Sequence, residues 1–167
     1  MKKILFILLI VLISVPVFAG FQFDIDVNVP YYMGVTFHDQ EMGDAMEYAF
    51  IIPDAKLTYY MGFKLLKVGV GLKAYTAIIQ SFVYPTLNVE SKVGPLVLNA
   101  NLGGYVYGLF GLTNSVETGE LLFGEATVAY KFGLLSLGTG VIMISSPELL
   151  DDKAAAFAGT VFLRFTL

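Results

Sequence analysis

The chain has 167 residues, 56% of them hydrophobic, with 14 acidic residues, 10 basic ones, a single histidine and neither cysteine nor tryptophan. Its length holds one domain, and its net charge of −4 argues against a nucleic-acid partner, which needs a basic surface. The lack of cysteine excludes a disulfide framework and a lipid-modified cysteine at an export cleavage site.

The first nineteen residues read as a cleaved signal peptide. Lys2 and Lys3 form a basic start, Ile4 to Ile13 is an unbroken apolar run, and Pro16 ends it. Val17-Phe18-Ala19 then offers modest residues at the two positions a signal peptidase reads, with cleavage before Gly20. The expected organisation is residues 1–19 as signal and 20–167 as one barrel domain. With Lys2 and Lys3 gone, 8 basic residues face 14 acidic ones, a net charge of −6.

From Phe21 to Phe37 every odd-numbered residue is apolar, while the even positions include Gln22, Asp24, Asp26, Asn28 and Thr36. Side chains alternate across a strand, so this segment is a long β-strand with one greasy and one polar side. Pro30 cannot donate to a sheet ladder and is expected near the outer rim, at a bulge. Further strands are expected at about 55–63, 67–78, 85–93, 96–109, 121–132, 135–143 and 155–167. Short turns within Phe63–Gly71, Lys92–Leu96 and Phe132–Gly140 alternate with longer polar connections at about 38–54, 79–84, 111–120 and 144–154. Ser146-Pro147-Glu148 has the order of a helical N-terminus inside the last of these.

Nine charged residues fall on the polar faces: Asp24, Asp26, Glu90 and Glu125 against Lys56, Lys73, Lys92, Lys131 and Arg164. Charges of both signs opposite a continuous apolar face suit a small barrel turned inside out, its interior filled by side chains. Such charges must be paired. Asp24 or Asp26 is expected to pair with Arg164 across the closing seam, and Lys73 with Glu90. Glycines 62, 69, 71, 138 and 140 are expected to give the long lysines and Tyr60 room. Phe63, Tyr130, Phe132 and Phe165 near the turns, with Tyr31, Tyr84, Phe110 and Phe123 near the loops, suggest two aromatic girdles.

The export signal, eight alternating strands, alternating turns and loops, and apolar last strand resemble small bacterial outer-membrane barrels, the outer membrane protein A transmembrane domain and outer membrane protein X class. Gly159, Val161, Leu163, Phe165 and Leu167 match the terminal strand that the barrel-assembly machinery recognises in that group, although the family usually ends in phenylalanine or tryptophan. The resemblance is architectural and implies an all-β, eight-stranded antiparallel up-and-down transmembrane β-barrel. It also implies outer-membrane lipid and the assembly machinery as partners, and a monomer in the bacterial outer membrane.

Little points to chemistry. His38 with Ser81 and one of Asp39, Glu41 or Asp44 has the residue types of a lipid A-modifying barrel enzyme, but no spacing fixes a triad. The acids Asp39, Glu41, Asp44, Glu47, Glu148, Asp151 and Asp152 read as a solvated rim without calcium-loop spacing. No catalytic residue, metal ligand or cofactor is expected. The expected role is structural or surface-binding through loops 38–54 and 144–154. A small porin, a lipid A-modifying enzyme and a soluble periplasmic lipid-binding barrel are the alternatives.

Overall fold

The computed structural model describes residues 18–37, 40–45, 50–77, 79–145 and 155–167. Its strands are β1 (Phe18–Phe37), β2 (Gln40–Ala45), β3 (Ile52–Gly62), β4 (Leu66–Ala77), β5 (Gln80–Val93), β6 (Leu96–Gly111), β7 (Ser115–Phe132), β8 (Leu135–Ser145) and β9 (Ala155–Thr166). All pair antiparallel with their neighbours, and β1 pairs with both β3 and β9. Eight of them therefore close an up-and-down barrel. β2 lies outside that count and extends the sheet along the outer end of β1, from Tyr32↔Ala45 to Phe37↔Gln40.

The three short turns fall where the sequence puts them. Phe63 and Leu66 exchange backbone hydrogen bonds of 2.7 and 3.2 Å around Lys64-Leu65. Gly94 and Gly133 open the other two turns with φ of 60° and 69°, and neither Pro95 nor Leu134 has positive φ. A left-handed first turn residue alone is the II′ hairpin pattern, which glycine adopts without strain.

The loop side departs from expectation. The connection expected at 79–84 is a tight reversal, because Ala77 already pairs with Gln80 and the ladder runs on through Tyr84. Likewise Ser115–Thr118 pairs with Val106–Leu109, which reduces the expected 111–120 loop to a few residues. The polar residues Gln80, Ser81, Ser115, Glu117 and Thr118 disguise these strand ends. Beyond the apolar band a ladder survives with polar groups on either face, so alternation no longer marks it. The 38–54 connection is interrupted by β2. Ser146-Pro147-Glu148, His38, Asp39, Glu47, Asp151 and Asp152 lie outside the described residues, as do residues 1–17 of the expected signal segment. β1 starts at Phe18, opposite Gly62, two residues before the expected cleavage point.

Pro30 does sit at an irregularity: the β1–β9 ladder steps from Pro30↔Thr160 to Tyr32↔Gly159 and bulges at Tyr31. One consequence overturns the expected uniform face of this strand. An extra residue reverses the side-chain phase. Past the bulge Met33 stands opposite Ala158 and Val35 opposite Ala156, on the interior side. Tyr32 turns outward and stacks on Phe157 at 5.8 Å.

Among the inward glycines, Gly69 leaves room for Tyr60 as expected and Gly138 leaves room for Phe162, whereas Gly71 and Gly140 abut Thr58 and Thr127 of the neighbouring strands. A Cβ on Gly69 would lie 2.8 Å from the Tyr60 ring, and one on Gly138 would lie 2.7 Å from that of Phe162. Filling such a position forces neighbours off their rotamers. We expect Gly138→Leu to lower barrel stability by about 1–3 kcal/mol, measured as an earlier loss of the heat-resistant folded gel band in urea.

Candidate functional site

The barrel is inverted relative to a water-soluble protein. Leu87 and Leu98 are 61% and 51% exposed on the outer wall, while Asp24, Lys56 and Lys73 are at most 1% exposed inside. Most hydrophobic side chains of the turn-side and central wall point outward, and polar ones point to the axis. The interior holds two layers that differ in chemistry.

The first layer is ionic. Ladder register places Asp26 directly opposite Arg164 across the β1–β9 seam. The guanidinium Nε donates to both carboxylate oxygens at 2.8 and 2.9 Å, and Nη2 adds a further bond to Oδ2. Asp24, one inward step away, accepts from the Thr166 hydroxyl at 2.8 Å and from Gln22 at 3.1 Å, and it lies 3.4 Å from Lys56 Nζ. Asp26 is thus the partner that the sequence left open between two aspartates.

Glu125 is the hub of the layer. It accepts from Lys73 Nζ, from the Tyr75 hydroxyl at 3.0 Å and from Asn101 at 2.9 Å, and Arg164 stands 3.7 Å away. Lys73 also reaches Asp54 at 3.5 Å and lies 4.5 Å from the centre of the Tyr75 ring. The expected Lys73–Glu90 pair is therefore replaced. Glu90 sits nearer the turns and pairs with Lys67 at 3.0 Å, while Gln22 donates to it at 3.3 Å. Lys92 and Lys131 are half-buried beside Glu90, around a cavity of about 50 Å³ at the turn-side mouth. Such a space holds only a few waters.

Asp54 and Lys67 belong to this network and were absent from the nine. Asp54 accepts from Asn28 at 2.7 Å and is 4% exposed. Its signal was its phase, two residues before Lys56, hidden by Pro53 and by the assumption that the strand began at Ala55. Lys67 has the same phase as Gly69, Gly71 and Lys73 but sat at the expected end of its strand.

The second layer is aromatic and lies toward the loops. Tyr84 and Phe123 stack at 4.3 Å with ring planes 10° apart, Tyr75 packs 6.2 Å from Tyr84, and Tyr107 meets Phe123 edge-on at 6.3 Å. Ile142 completes this cluster, with Phe82, Leu109 and Leu121 against it. Tyr84 and Phe123 are thus interior residues, not members of the loop-side girdle. Tyr31 and Phe110 remain outside, about half exposed, as do Tyr130 and Phe132 at the turn side. Ser81 bonds the Thr76 hydroxyl at 3.2 Å on the exposed surface. With His38 outside the described residues, no triad geometry is formed among those described.

No protein-family model and no curated relative matches the chain. Among solved structures it is similar to Neisserial surface protein A at 11% sequence identity, over 89% of this chain and 98% of that one, with a TM-score of 0.47. The fold rests on its own closed strand order.

Removing one member of a buried pair strands its partner. We expect Arg164→Leu to cost about 3–5 kcal/mol, read as a lower urea midpoint for the folded band. Adding Asp26→Leu should recover part of that loss, since the ion pair is then removed whole; no recovery would mean that Arg164 acts mainly elsewhere.

Proposed function

We propose that the chain is a bacterial outer-membrane barrel with a closed bore, inserted as a monomer, whose role is structural or surface-binding through its loop-side connections and not catalytic. The observation that supports this best is the inverted burial: an apolar outer wall on a closed eight-stranded barrel around a paired ionic interior. In lipid every backbone polar group must be satisfied within the protein, and closure of β1 on β9 does so without an edge. Exposed Tyr31 and Phe110 toward one end and Tyr130 and Phe132 toward the other have the placement of interfacial girdles. The assembly machinery would read β9 and the residue after it, where Val161, Leu163 and Leu167 are exposed.

A porin needs a continuous wet path, and here Arg164, Lys73 and Glu125 cross the axis below a stacked Tyr84–Phe123 pair. Against a soluble barrel stands the wall itself, since a soluble protein rarely leaves so broad an apolar surface uncovered.

Three measurements test this reading. Leu87 is an exposed outward residue; in a bilayer we expect Leu87→Arg to cost up to about 2–4 kcal/mol, whereas an exposed residue of a soluble barrel would tolerate it. Release by osmotic shock without detergent would also overturn the membrane assignment. In planar bilayers the purified protein should give no steady, large conductance. Reproducible nanosiemens steps would replace the closed-bore reading with a channel.

A further inference from the structure

The loop-side end of the bore above the aromatic layer is an apolar cup of about 170 Å³. Its floor and walls are Tyr75, Phe82, Phe123 and Ile142, and Met33 and Ile144 stand at its edge. The Tyr31 bulge builds this feature: without the phase reversal Met33 would face the surroundings, and the wall opposite Ala158 would carry an even-numbered residue of β1. Tyr75 brings the one hydroxyl in the lining, and that hydroxyl is engaged downward with Glu125 at 3.0 Å. Among the described residues no charged side chain lines the cup. The edge is open, with Met33 42% and Ile144 39% exposed.

Those features define a guest. A charged or hydrogen-bonding molecule would bury its polar atoms there without partners. An apolar cavity of ~150 Å³ suits one benzene ring and stays dry when empty, and this cup is of that size. Its aromatic walls favour a ring, which gains offset or edge-on contacts that an alkyl chain lacks. We propose that the cup is a binding site for a neutral single-ring aromatic hydrocarbon, which enters from the loop side and rests on the Tyr84–Phe123 plug. The site depends on the closed barrel and the Tyr31 bulge, not on which role the outer loops serve.

The test uses the full barrel in lipid nanodiscs with labelled isoleucine, leucine and methionine methyl groups, titrated with fluorobenzene. Saturable shifts should appear at Met33, Ile142 and Ile144, with only an unsaturated drift at the outward-facing Leu87 and Leu98. Sodium benzoate, of the same ring size but charged, should leave the cup methyls unmoved. Ala158→Leu, which fills the cup, should abolish saturation. Ala156→Phe does so from a more exposed position, and decides the matter if the first variant fails to fold. Equal drift at cup and outward-facing methyls would mean partition into lipid and overturn the proposal. So would contacts from lipid acyl chains to Ile142 and Ile144 that fluorobenzene cannot displace.

Discussion

The closure of β1 on β9 is the contact on which the rest of this structure depends. Twelve paired positions from Asp24↔Thr166 to Thr36↔Ala155 join the two ends of the described chain. Without them two long strand edges would present rows of unpaired amides and carbonyls. The same register puts Asp26 beside Arg164, so the seam that satisfies the backbone also neutralises two charges that the interior could not hold singly. The ionic layer grows inward from that seam. Arg164 touches Glu125, Glu125 holds Lys73, and Lys73 reaches Asp54 beside Asn28 on β1. Side chains from five strands are thereby tied across the axis.

The two interior layers follow from what each height of the barrel must do. Eight strands leave a bore narrow enough for side chains to meet at its centre. In the ionic layer Lys56, Lys67, Lys73 and Arg164 each find a carboxylate within reach. Nearer the loops the acidic set gives way to tyrosine and phenylalanine, which fill the same radius by stacking and carry few polar atoms to satisfy. Tyr75 joins the layers: its ring packs with Tyr84, and its hydroxyl donates to Glu125. The aromatic plug is therefore fixed in depth by a hydrogen bond to the ionic hub.

The bulge in β1 then sets which of its side chains reach the loop-side mouth. Pro30 offers no amide to the ladder, and the extra residue at Tyr31 takes up the resulting break. The reversal of phase turns Met33 toward the cup and Tyr32 away from it, onto the ring of Phe157, a residue that itself borders the cup.

Much of this was legible in the residues alone. Strict alternation over Phe21–Val29, and again from Val161 to Leu167, determined strands with one apolar and one polar face, because a period of two allows no other regular burial. Glycine at the turns determined two of the hairpins, and the mixed charges on the polar face determined that the interior is ionic. Tertiary structure alone decided the rest. Which acid faces which base depends on ladder register, and so Lys73 met Glu125 and Asp54 instead of Glu90. Tyr84 and Phe123 looked like girdle residues because aromatic character does not say which face a side chain takes. Asp54 seemed to belong to a loop because Pro53 obscured the strand end. The phase reversal at Tyr31 was invisible in a pattern that stays regular to Phe37: a bulge changes where side chains point without changing the order in which they occur.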